Sequence, residues 1–209
     1  MEIHPPHGPV ESVKHFLLHL SMITIGILIA LGLEQAVEAW HHHELAVEAR
    51  ENILSEIRDN KRELEASRKF QQKNVEKLRQ SLGTIRRFLA HEKTDHADVS
   101  ITVNGADLNS TSWTTASNTG AFSYMGYDQA KRFAKAYDVQ TLLQHTQDDA
   151  FRAASHALTL IPYGAPRPQD LTDDQIKTVD QETLQCMAIL GSWEQIAAQL
   201  DDEYGRVLK

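Results

Sequence analysis

Cysteine is nearly absent from these 209 residues: Cys186 is the only one. One thiol excludes an intramolecular disulfide framework and a cysteine-rich zinc site. Placed in an apolar helical stripe, Cys186 reads as an inert core residue rather than a reactive one. Proline is missing from Glu34 to Ile161, so nothing in that stretch forbids long helices. Recognised catalytic signatures are missing too. The chain has no Gly-x-Ser-x-Gly elbow, Walker loop, dinucleotide fingerprint or His-Glu-x-x-His pair. Apolar character is concentrated in one segment, which excludes a multi-pass transporter or channel.

That segment runs from Phe16 to Leu33, FLLHLSMITIGILIALGL, eighteen residues without a formal charge, and it ends at Glu34. As a helix it rises about 27 Å, enough to cross a hydrocarbon core of about 30 Å when its flanks snorkel. A cleaved secretory signal is the rival reading, with Val37 and Ala39 as the small residues before a cut. The apolar run is long for a signal, only Lys14 precedes it as a base, and Glu34 and Glu38 fall where a cleavage region is normally neutral. A single-pass anchor is therefore expected. Lys14 and the amino terminus, helped by His4, His7 and His15, outweigh Arg50, the one base in the seventeen residues after the span. That bias puts the N-terminus inside and the C-terminal domain outside, in a bacterial inner membrane on its periplasmic face.

Within the span, Gly26 and Ala30 stand four apart on one helical face, a spacing that lets a second helix approach closely. His19 is the one ionisable side chain in the run. It sits one turn from the N-terminal end, where an imidazole near the headgroups costs little, so a cofactor role is not assigned to it.

Beyond the anchor, Glu, Lys, Arg, Ala, Leu and Gln dominate to about Glu92, which predicts that the membrane helix continues as one long helix, with Gly83 as a place where it could break. Val47, Leu54, Ile57 and Leu64, and then Val75, Leu78, Leu82, Ile85 and Leu89, recur at helical spacing. Between the two sets Ser67, Arg68, Lys69, Gln71 and Gln72 interrupt the seam. Residues 91–110 read as a loop with at most one short strand at Val99, Ile101 and Val103. Two short helices meeting between Gly120 and Gly126 are expected next, their aromatic residues packed on the long helix, followed by a helix from about Val139 to Ile161. The prolines at 162, 166 and 168 then end it. The last helix begins at Thr172 as N-cap. Its seam comprises Ile176, Val179, Thr183, Cys186, Leu190, Trp193, Ala197, Leu200, Tyr204 and Val207.

Charge is distributed unevenly: Arg50 to Lys93 holds twelve bases and seven acids, whereas Thr94 to Lys209 holds eight and sixteen. An antiparallel pairing of first and last helices would place those opposite charges side by side. The acidic half also argues against a nucleic-acid partner.

The predicted fold is mainly α: residues 1–15 a short tail, 16–33 a transmembrane helix, 34–92 a long juxtamembrane helix, and 93–209 the helical remainder of an extramembrane bundle. The most conspicuous polar cluster is Glu38, His41, His42 and His43, beside Glu44. Glu38 and His41 share the Glu-x-x-His spacing of diiron bundles, but the chain has no second copy. Three adjacent histidines point about 100° apart on a helix and cannot share one metal, so the cluster reads as an interfacial collar beside Trp40, or as a weak polar site. His91, Glu92, Asp95, His96 and Asp98 lie in a polar loop without metal-ligand spacing. No cofactor, metal or catalytic residue is assigned.

IGILIAL from Ile25 to Leu31, followed by Trp40 and a charged helix, resembles a family of uncharacterised bacterial proteins with one N-terminal anchor. The region from Trp113 through Gly120 to Tyr137 is similar to their aromatic-rich middle, so the resemblance covers about two thirds of the chain. It departs from them in the acidic, histidine-rich stretch from Glu34 to Glu44. The resemblance implies an anchor and a helical domain and carries over no catalytic residue. The expected function is that of a non-enzymatic, membrane-anchored helical protein. Its expected partners are membrane lipid and either further copies of itself or a larger membrane complex. An extracytoplasmic ligand or pH sensor working through a partner is the alternative, and a metal-dependent enzyme is a third class.

Overall fold

A computed structural model of the chain describes residues 12–92, 99–159 and 171–209. Among these residues there are four α-helices and no strand: α1 (Ser12–Leu89), α2 (Thr111–Asn118), α3 (Tyr127–Thr159) and α4 (Asp173–Val207), with a 3₁₀ turn at Ala121–Tyr124. The fold is mainly α, as the sequence implies. Two compact units divide the chain, residues 1–48 and 49–209, and α1 contributes to both.

The described part of the first unit is helix throughout, from Ser12 rather than Phe16. The tail before residue 12 lies outside the described residues. Every residue from Val13 to His41 is exposed. The apolar window of α1 is the one stretch among the described residues long and apolar enough to cross a membrane, and none of it is buried.

In the second unit α1 continues to Leu89 without a break. Gly83 is exposed, with open space where a Cβ would stand, and the good helix formers around it outweigh the roughly 1 kcal/mol that one glycine costs. α4 lies antiparallel to α1. Lys61 pairs with Asp201, Arg68 with Glu194 and Arg86 with Asp180, so partner numbers on α4 fall as those on α1 rise. The uneven charge is thus used within the chain. Nine of the ten expected seam residues of α4, all but Val207, are buried. Thr172 caps the helix through a full capping box with Gln175.

α3 runs parallel to α1: Tyr137 meets Glu56, Gln140 meets Asn60, and Leu78 packs with Ala150, Ala153, Ala154 and Ala157. Parallel neighbours need a connection that returns the full length of the helix. Residues 100–109 supply it as an extended strap. Ser100 is bonded at Ser81, Asn104 at Gln71, Gly105 at Ser67 and Asn109 at Asn60. Nine extended residue steps reach about 31 Å, which matches the rise of about 32 Å over the twenty-one helical steps from Asn60 to Ser81.

The strap explains the buried face of α1. Positions 53, 57, 60, 64, 67, 71, 74, 78, 81, 85 and 88 are all buried and follow a strict alternation of four and three. The seam is therefore continuous, where the sequence predicts an interruption. Its middle is polar because Asn60, Ser67, Gln71 and Ser81 face the strap's backbone, which has no strand partner to satisfy it. Ile53 and Phe88 occupy core positions that the sequence reading gives to Leu54 and Leu89, both half-buried, and Val47 is exposed.

The chain from Tyr127 to Thr159 is one helix, not two pieces, since no glycine or proline interrupts it. Trp113 stacks on Tyr137 at 5.0 Å between ring centroids and Phe133 is buried. Tyr124 and Tyr127, expected to pack, are 46% and 79% exposed. The prolines at 162, 166 and 168 fall outside the described residues.

Candidate functional site

Gly26 and Ala30 sit on the exposed span, and a Cβ added at Gly26 meets nothing within 4 Å. The face they form is open to a second helix. His19 Nδ1 donates to the His15 carbonyl of its own helix at 2.9 Å.

Glu38, His41, His42 and His43 fan around α1 as helical geometry requires. His42 Nε2 lies 4.0 Å from Glu38 Oε1, with His42 28% and Glu38 66% exposed. The His41 and His42 rings are 6.4 Å apart and tilted. The closest contact of Glu38 within the cluster is thus an i, i+4 approach to His42. Among the described residues no three His, Cys, Asp or Glu side chains converge where a metal ion could sit. His91 and Glu92 are exposed, while Asp95, His96 and Asp98 lie outside the described residues.

The most constrained polar chemistry lies elsewhere, where α1, the strap, α3 and α4 meet. Asn60 Nδ2 donates to the Asn109 carbonyl at 2.7 Å, and Asn109 N donates to Asn60 Oδ1 at 2.8 Å. Gln140 Nε2 donates to the same carbonyl at 3.0 Å, and Tyr204 Oη donates to Gln140 Oε1 at 2.6 Å. One turn earlier on α1, Glu56 receives the Tyr137 hydroxyl at 2.5 Å and the Ser112 amide at 2.8 Å. Ser110, the N-cap of α2, makes no side-chain cap bond. The Glu56 carboxylate takes that role from another helix, where negative charge is favourable.

Burial, reinforced by the Glu56 carboxylate, raises the Tyr137 pKa well above the ordinary tyrosine value. Burial does the same for Tyr204. Both phenols are therefore held as neutral donors, which is a structural duty rather than acid–base readiness. Burial also pushes the Cys186 thiol up to about 11, so it stays protonated and unreactive at neutral pH.

The surface depressions are shallow and polar. One of about 640 Å³ lies between the strap at Asn104–Leu108 and α3 at Gln144, His145 and Asp148. Another of about 700 Å³ lies along α1 from Lys77 to Arg87.

No family model, curated protein or solved structure matches this chain. The polar junction has no signature in the sequence analysis, because Asn60, Gln140 and Glu56 belong to no motif and lie far apart in the chain. One signal could have found it: Asn60, Ser67, Gln71, Asn74 and Ser81 hold heptad positions flanked by Ile57, Leu64 and Leu78.

Proposed function

We propose that this is a non-enzymatic, single-pass membrane protein that self-associates or serves as an accessory subunit of a larger membrane complex. One observation carries the anchor: twelve large apolar side chains between Phe16 and Leu33 are exposed, around the whole circumference of the helix. Leaving them in water would cost on the order of 10–20 kcal/mol, as much as a whole domain's stability. A soluble partner helix would cover one stripe only, whereas apolar character all round suits lipid. The proposed orientation is N-terminus inside a bacterial inner membrane, with the second unit on the periplasmic side. The reading also takes the chain as one of the bacterial single-anchor proteins that its span and aromatic middle resemble.

The seams of α1 and α4, which from sequence alone suggest an oligomer, are covered within one chain. Support for association therefore rests on the span, at Gly26 and Ala30. Extraction of the full-length protein in a gentle detergent, followed by native mass determination and identification of copurifying chains, tests it. A homo-oligomer or a stoichiometric partner is expected, weakened by Gly26→Leu. A strict monomer that copurifies with nothing would overturn the reading.

A further inference from the structure

α1 presents an unneutralised basic face along its second half. Lys69, Lys73 and Lys77 follow at four-residue spacing, all exposed, and Arg87 continues the face. None of the four has a carboxylate partner among the described residues, whereas the acids nearby are engaged. Glu65 pairs with Lys61, Glu76 with Arg79 and Asp180 with Arg86. A depression of about 700 Å³ opens in this face between Lys77 and Arg87.

Between the two cations its lining is Gln80, Ser81, Gly83, Thr84 and Ser100, with no carboxylate among the described lining residues. Ser81 and Thr84 are buried at its base although they are hydroxyl residues. Ser81 is fixed there by the strap, accepting from Ser100 N at 2.9 Å and donating to its carbonyl at 3.1 Å. Arg87 is folded back over the helix with only long contacts of 3.4 Å, to Gly83 O and Thr84 Oγ1, so a better acceptor can recruit its guanidinium. Gln80 likewise holds Glu76 at only 3.4 Å. Ser81 and Thr84 give their hydroxyl protons to the Ser100 and Gln80 carbonyls, so the groups left to meet a tetrahedral oxyanion are the two cations and the Gln80 amide.

We infer that the Lys77–Arg87 depression binds a phosphate-type oxyanion, free or carried on a lipid headgroup. This stands independently of the anchor. It is tested on the full-length protein in uncharged detergent micelles by calorimetric titration with inorganic pyrophosphate, ionic strength being held constant with chloride. Saturable binding is expected, weakened at least ten-fold in Lys77→Gln/Arg87→Gln and unchanged in Lys131→Gln/Arg132→Gln, which removes two exposed bases of α3. All four side chains are exposed, so thermal melting should be unaltered in both variants. Absence of saturation, or equal loss in the α3 variant, would overturn the site in favour of diffuse charge attraction. Phosphatidylglycerol added to the micelles separates the sources: competition with pyrophosphate assigns the site to a headgroup, and unchanged affinity assigns it to a soluble phosphate.

Discussion

Asn60 substitutes for a neighbouring strand, giving one donor and one acceptor to the Asn109 backbone. Asn60→Leu would leave the Asn109 amide without its acceptor and its carbonyl with Gln140 alone, and is expected to destabilise by about 1–3 kcal/mol, read by denaturant unfolding. Gly105 answers a different constraint. A Cβ there would lie 2.0 Å from the Gln147 side-chain amide, which accepts from Ala106 N at 2.8 Å. Gly105→Ala should therefore cost about 1–3 kcal/mol, and less in a Gln147→Ala background, where the clash is gone. Titration acts on the alkaline side. Cys186, Tyr137 and Tyr204 hold their protons in the folded state beyond their ordinary values of 9.0, 10.0 and 10.0. With the folded values raised, their contribution is complete below about pH 9 and is lost as the pH rises. For Cys186 the loss falls between pH 9.0 and about 11 and is on the order of 2 kcal/mol. Unfolding free energies measured from pH 7 to 11 should fall above pH 9, less steeply between 9 and 11 in Cys186→Ala. A flat profile would contradict the burial of these groups.

Between helices, legibility followed chemistry. α4 was readable end to end because its buried positions are apolar apart from Thr183 and Glu203, and its start is marked by a capping box. The buried face of α1 was readable only where it meets α4 and α3 directly. Under the strap, amides and hydroxyls occupy the core because they satisfy backbone, a need that no residue announces until the strap's path is known. The Glu56–Tyr137–Ser112 arrangement joins residues up to eighty-one positions apart and was invisible for the same reason. Antiparallel pairing of α1 with α4, in contrast, was legible from charge. It can be checked by exchange: Arg68→Glu should destabilise by about 1 kcal/mol, and the double variant with Glu194→Arg should recover most of that, as a double-mutant cycle would show.

In the whole molecule, groups satisfied within the chain and groups left exposed lie in different regions. The second unit covers its own seams and ties α1 to α4 through Lys61–Asp201, Arg68–Glu194 and Arg86–Asp180, while the apolar span from Phe16 to Leu33 is exposed throughout. The span was the plainest feature of the sequence, since eighteen consecutive residues without a formal charge stand out by composition alone. The Glu38–His43 cluster was equally plain, yet its side chains diverge around the helix. Alkaline carbonate washing of membranes from cells expressing the full chain, with the retained protein weighed by mass spectrometry, tests the anchor most directly. The chain is expected in the membrane pellet at 23.6 kDa with its N-terminal span intact. Release into the supernatant, or a mass showing that the span had been removed, would contradict it.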